Sequence, residues 1–194
     1  VQRTMYCTPI LRPIIVALCR GFFKIWGWKL EGKPPTEPKY VLVAVPHTSN
    51  WDFPLALAIA FVYRVDMYWM GKDSLFKGWR GPIMKWLGGI PINRSSSNNV
   101  VSQMIEVFDA SDRLVVTIPP EGTRSKVDKW KTGFYYIALG ANVPIALAFL
   151  DYKRKVGGFL STFYPTGDVE KDITEIRSYY AGISGKYTSK CTVD

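Results

Sequence analysis

Short apolar, β-branched runs alternate with stretches of helical period along most of this chain, and that alternation constrains the fold more than any other feature. Val41–Val45 is the first run, apolar at every position, as expected of a strand covered on both faces. An apolar helix follows through about Tyr63, then a short strand at Asp66–Met70 and a helix over Asp73–Leu87 interrupted near Gly81-Pro82. Gly88-Gly89 punctuates the pattern and Ile90–Ile92 reads as the next strand. Ser95-Ser96-Ser97 caps a helix that carries Val100, Val101, Met104, Ile105 and Phe108 on one side. Strands at Arg113–Ile118 and Val143–Leu150 flank a helix at Trp130–Leu139, and a strand at Gly158–Phe163 precedes a last helix over Val169–Tyr180. Strands alternating with helices predict a single α/β domain with a largely parallel, mixed sheet flanked by helices. In such a sheet ligands collect beyond the carboxyl ends of the strands.

Ahead of this pattern, Pro9 and Pro13 open a helix over residues 9–29, with Ile14, Ile15, Leu18, Phe22, Ile25 and Trp26 on one face and Arg20 and Lys24 opposite. Two readings fit such a stripe: a helix lying in a membrane surface, or one packing its apolar face on the core. Gly32–Pro38, with its three prolines, is a linker or turn. The expected organisation is therefore a membrane-interacting helix and linker over residues 1–38 and a main domain over 39–194.

Charge narrows the partners. The formal net charge is +9, which suits nucleic acid, anionic headgroups or phosphorylated small substrates. The cations are dispersed and no nucleic-acid-binding motif accompanies them, which argues against nucleic acid. Cys7, Cys19 and Cys191 form no CxxC pair and one histidine is present, so neither a disulfide framework nor a zinc site is expected. No apolar run reaches the length of a spanning helix.

The single histidine, His47, directly follows the first core strand in Pro46-His47-Thr48-Ser49-Asn50-Trp51-Asp52. A loop that reverses before the next helix can bring Asp52 onto one imidazole nitrogen, fixing the tautomer and leaving the other nitrogen to take a proton. The structural alternative is a satisfied loop histidine beside a first-turn aspartate favoured by the helix dipole. Ser49 lacks the Gly-x-Ser-x-Gly elbow of a hydrolase nucleophile. A second polar cluster follows the strand at Arg113–Ile118. There Gly122 permits close backbone approach, Thr123 adds a hydroxyl, Arg124 and Lys126 can hold a phosphate, and Glu121 can accept from a polyol or brace an arginine. A third, Gly88–Arg94, ends in Arg94 just before a serine-rich helix start that itself favours anions. Each of these two clusters also reads as ordinary turn or surface chemistry when taken alone.

Together the clusters resemble the glycerolipid acyltransferase family that includes 1-acylglycerol-3-phosphate acyltransferases, in motif order over roughly residues 41–150. His47 through Asp52 match its H-x4-D motif, Gly89–Arg94 its second block, Pro120–Ser125 its Pro-Glu-Gly-Thr-Arg-Ser block and Val143–Ile145 its Val-Pro-Ile block. Pro46, Asn93 and Pro119 stand where Asn, Asp and Phe are usual, departures that bear on the acceptor more than on the chemistry.

The resemblance implies direct transfer of a fatty acyl group from a thioester, acyl-CoA or acyl-carrier protein, to a hydroxyl of a lysophospholipid or related phosphorylated acceptor. His47 would act as general base and Asp52 would orient it, with no acyl-enzyme, metal or further cofactor. Arg94, Glu121, Gly122, Thr123, Arg124 and Lys126 would serve the acceptor and its phosphate. An anionic membrane surface on the cytoplasmic face, a bacterial inner membrane, is the expected location. A non-catalytic lipid-binding or membrane-tethering module on the same fold is the competing reading.

Overall fold

The computed structural model describes residues 4–93 and 97–191, without the side chains of residues 97 and 98. Seven strands form one sheet: β1 (Lys29–Glu31), β2 (Lys39–Val45), β3 (Met67–Lys72), β4 (Gly89–Ile92), β5 (Leu114–Thr117), β6 (Ile145–Asp151) and β7 (Val156–Phe163), in the spatial order β1-β7-β6-β2-β5-β3-β4. Every pairing is parallel except that of β6 with β7, which run antiparallel. The sheet is thus largely parallel and mixed, as the alternating pattern predicts.

The helices are α1 (Leu11–Trp26), α2 (Asp52–Tyr63), α3 (Arg80–Trp86), α4 (Ser97–Asp109), α5 (Gly133–Gly140) and α6 (Val169–Ser178). Alternation along β2 divides the core in two. Val41, Val43 and Val45 pack with Met104 and Phe108 of α4, Phe134 and Ile137 of α5, and Ile176 of α6. Tyr40 and Leu42 face the other way, toward Ala60 and Phe61 of α2. Truncating one of these fully buried side chains to Ala would cost about 2–5 kcal/mol.

Helix α2 is apolar nearly all round because it lies between the sheet and α1: Leu55 and Ile59 meet Phe23 on its outer side. Helix α1 stops at Gly27, which takes the left-handed conformation (φ 71°) while the Trp28 amide donates to the Phe23 carbonyl at 2.8 Å. The six-residue stripe expected on α1 is divided between two surroundings. Ile15 and Phe22 turn toward the protein with Val16, Cys19 and Phe23, whereas Ile14, Leu18, Ile25 and Trp26 are 52% to 76% exposed. Among the described residues no helix is long and apolar enough to cross a membrane.

Two local details differ from the pattern. Lys29, read as the last residue of the first helix region, forms with Leu30 and Glu31 the edge strand β1 beside β7. The helix expected over Asp73–Leu87 breaks earlier than Gly81-Pro82: a 3-10 turn at Asp73–Phe76 ends at Lys77-Gly78, and Pro82 falls in the first turn of α3, where its missing N–H leaves no gap. Of the serine cap expected at Ser95-Ser96-Ser97, Ser95 and Ser96 lie outside the described residues, and α4 begins at Ser97.

Candidate active site

Strands β2 and β5 are neighbours, yet the helices that follow them, α2 and α5, cover opposite faces of the sheet. This is a topological switch point, and the loops leaving the two carboxyl ends bound a crevice. His47 stands on the first loop and Glu121–Arg124 on the second.

The first loop folds back on the start of α2. Asp52, buried in the first turn, gathers four donors. Its Oδ2 accepts from the Thr48 and Ser49 amides at 2.8 Å each and lies 3.2 Å from His47 Nδ1, while its Oδ1 accepts from the Tyr152 hydroxyl at 2.7 Å. Burial pushes the Asp52 carboxyl upward, but the hydrogen bonds from His47, Tyr152, Ser49 and Thr48 outweigh it and hold the group below the usual carboxylate value. An ionised Asp52 accepts only, so Nδ1 carries the proton and Nε2 is the basic nitrogen. The reversal anticipated for this loop is what forms.

The second loop is fastened to the first by Glu121, a buried carboxylate whose Oε2 accepts from the His47 amide at 2.9 Å. The side chain expected to meet a polyol or an arginine thus holds the histidine's backbone. Gly122 has φ 64°, and a Cβ there would fall 2.9 Å from Cδ, Cε and Nζ of Lys131, so the lysine ammonium rests against this glycine. A cavity of about 970 Å³ opens between the loops, lined by His47 and Asp52, by Gly122, Thr123 and Arg124, and by Lys131. Its remaining wall is mainly apolar, including Phe53, Met67, Trp69, Val101 and Ile137. Lys126 is exposed and does not line it. Arg94 lies outside the described residues.

Three contributions were not legible beforehand. Lys131 follows a tryptophan in a stretch read as helix, although its amide donates to the Pro120 carbonyl at 2.8 Å, and the loop rather than a helix presents it. Tyr152 belongs to the turn after β6, a hundred positions from its partner. The segment after α6 returns to the histidine loop: the Tyr187 amide donates to Thr48 Oγ1 at 3.3 Å and Lys186 Nζ sits 5.1 Å from the Trp51 ring centroid. Among the described residues no three His, Cys, Asp or Glu side chains converge to hold a metal.

Chemically, the arrangement offers one oriented imidazole, a carboxylate able to stabilise its protonated form, and cations beside a large cavity with an apolar wall. The sequence matches the acyltransferase family model over residues 29–147. Among solved structures the chain is similar to PlsC, the 1-acyl-sn-glycerophosphate (LPA) acyltransferase from Thermotoga maritima, at 18% identity with a TM-score of 0.57, covering 87% of this chain and 76% of that one. At that identity the likeness is one of fold. No curated protein matches the sequence significantly.

Proposed function

The chain belongs to the acyltransferase family, and from that premise we propose that it is a membrane-associated O-acyltransferase carrying a fatty acyl group from a thioester to a hydroxyl of a lysophospholipid-like acceptor. The observation that carries this reading is the His47–Asp52 pair, 3.2 Å apart at the head of a cavity that combines cations with an apolar wall. A lipid-tethering module has no use for a histidine oriented in this way.

An alcohol is a poor nucleophile at neutral pH. In the proposed reaction His47 Nε2 removes the acceptor hydroxyl's proton as its oxygen attacks the thioester carbonyl. General-base assistance of this kind contributes about 10² to 10⁴ in rate. The imidazolium that forms is stabilised by Asp52, which remains ionised. The tetrahedral intermediate then collapses, the C–S bond breaks, and the thiolate leaves and can take up the proton held by His47. No acyl-enzyme forms. Arg124 and Lys131, together with Arg94 of the Gly89–Arg94 sequence block, supply positive charge for the acceptor's phosphate, and the apolar wall suits an acyl chain. Acyl-CoA and acyl-carrier protein both fit as donors.

The exposed residues of α1 support docking to a membrane. Ile14, Leu18, Ile25 and Trp26 are exposed on α1, and Arg20 and Lys24 are exposed on the same helix, a composition that suits the headgroup level of an anionic bilayer. The test of the activity is thiol release from acyl-CoA and acyl-carrier protein with a panel of lysophospholipids, for the parent protein and His47→Ala. Acceptor-dependent release lost in a folded His47→Ala protein is the expected result. Equal release by both would remove the mechanism, and lack of release with every pair would favour the tethering module.

A further inference from the structure

At the β4 edge of the sheet, a seven-residue helix leaves its largest side chains in solvent. Trp79, just before α3, and Ile83 and Trp86 within it are 76%, 44% and 40% exposed. Their i, i+4, i+7 spacing puts them on one side of the helix. Leu75, in the turn before, is exposed as well. The inner side is packed closely: Cβ atoms added at Gly81 and Gly89 would collide with the Phe76 and Met84 carbonyl oxygens at 2.2 Å and 2.7 Å. Large apolar side chains concentrated in one exposed stretch mark a docking surface.

Charge indicates the occupant. Lys72, Lys77, Arg80 and Lys85 are exposed around these residues, against Asp73 alone of opposite sign over residues 72–87. The Arg80 guanidinium lies 5.4 Å from the Trp79 ring centroid. Indole rings flanked by cations match the interface of an anionic bilayer, where the ring sits at the acyl boundary and the cation meets phosphate. A second copy of this basic chain would instead set like charges against each other.

Position agrees with charge. A right-handed crossover from β3 to β4 places α3 on the same face of the sheet as α2, since both connections advance in the same direction along the sheet. Met67 on β3 packs in the cluster shared by α1 and α2, and Gly71, on the same side of that strand, abuts Phe76. The exposed residues of α1 lie outside α2 on that face. Phe76 also packs on Trp69, which packs on Phe53, each pair with ring centroids 6.1 Å apart, and Trp69 and Phe53 line the cavity. The cavity's apolar wall therefore continues to the underside of α3.

We propose that α3 is a second bilayer-contacting element, seating Trp79, Ile83 and Trp86 in an anionic membrane surface alongside α1. This rests on the membrane docking proposed above and adds orientation: two separated contacts hold the cavity's apolar side toward the lipid.

The experiment is flotation of the full chain with phosphatidylglycerol–phosphatidylethanolamine vesicles. It compares the parent, an Ile83→Glu/Trp86→Glu pair, the milder Trp79→Ala, and an α1 pair, Leu18→Glu/Ile25→Glu, with circular dichroism melts of each. Because partition scales with inserted apolar area, each glutamate pair is expected to bind at least about tenfold less, and Trp79→Ala about threefold less, at unchanged melting temperature. α3 variants that float like the parent while the α1 pair does not would overturn the proposal and leave α1 docking intact. A parent that does not float removes both. A parent dimer in solution that the α3 pair converts to monomer would assign this face to a second copy and overturn the proposal.

Discussion

Tyr152 donates its hydroxyl hydrogen to Asp52 Oδ1 at 2.7 Å, joining the turn after β6 to the first turn of α2 across 100 positions of sequence. The tyrosine is itself held: its ring meets Trp28 edge-on at 5.2 Å and its amide donates to the Ser184 carbonyl at 2.9 Å. Burial first, and then the adjoining Asp52 carboxylate, push the phenol well above its ordinary value, so it remains a donor throughout the neutral range. It thus occupies the Asp52 oxygen that His47 does not use. It acts on the proposed reaction by positioning the dyad rather than by touching substrate.

Tyr152→Phe is therefore expected to lower kcat about tenfold with little change in KM, since hydrogen bonds to charged groups are worth about 1.5–3 kcal/mol. Losing a donor leaves the Asp52 carboxylate a stronger acceptor for the imidazolium, so the dyad should take up its proton, and the acid limb of the pH–kcat profile should fall, at higher pH. Steady-state thiol release across pH measures both effects. An unchanged profile with an unchanged kcat would reduce Tyr152 to a packing residue.

Asp52→Asn keeps the size of the side chain and removes its charge. The amide cannot stabilise an imidazolium, and its NH2 group cannot accept from the Thr48 and Ser49 amides that now converge on Oδ2. The expected loss in kcat is about 10³ or more, by analogy with carboxylate loss in serine-hydrolase triads. Single-turnover measurements should show slow chemistry with donor binding preserved. Near-parental turnover would mean that the carboxylate only shapes the loop.

Lys131 and Arg124 share the cavity with His47. Either one replaced by Ala should raise the acceptor KM by about tenfold, the cost of one charge-assisted contact, while the KM for acyl-CoA changes little. Gly122→Ala tests the same contact without removing a cation. The new methyl would displace the lysine's end, and a non-glycine residue at this positive φ adds about 1 kcal/mol of strain. A donor-selective defect in all three would exchange the assignments.

Much of the frame was legible because β-branched runs and helical periods are local signals. Val41–Val45 had to be a covered strand, and an apolar helix after it had to be enclosed on both sides. The His47–Asp52 pair was legible for the same reason: five positions separate the residues, and a single loop closes the distance. Tyr152, Lys131 and the Tyr187–Thr48 contact depend on strand order, which local pattern does not specify. Glu121 illustrates the limit within a recognised motif, since its position was evident but its partner, the His47 amide, became visible only with β5 beside β2. The α1 stripe illustrates a different limit. A helical wheel shows which residues share a face, yet α2 takes Ile15, Val16 and Phe23 and leaves Ile14, Leu18 and Ile25 outside.

Two buried carboxylates set the expected acid stability. Burial raises the pKa of Asp172 as it does that of Asp52, but hydrogen bonds again prevail. Asp172 accepts from the Thr166 amide at 2.7 Å, the Tyr135 hydroxyl at 2.7 Å and Thr166 Oγ1 at 2.8 Å, and its carboxyl is held below the ordinary value of 3.8. A carboxyl with a folded pKa below its unfolded one binds fewer protons in the native state. Its stabilisation is complete above the unfolded value and is lost as pH falls through the folded value. The protein should therefore lose stability progressively below about pH 4. Asp172→Asn should cost about 2–4 kcal/mol near neutrality, because it leaves buried donors facing an amide. It should also flatten the acid dependence, since the titrating group is gone. Urea unfolding of the parent and variant at pH 7, 5, 4 and 3 reads both quantities. If the two curves stay parallel down to pH 3, Asp172 does not carry the acid sensitivity, and Asp52 is the remaining buried group with a lowered carboxyl.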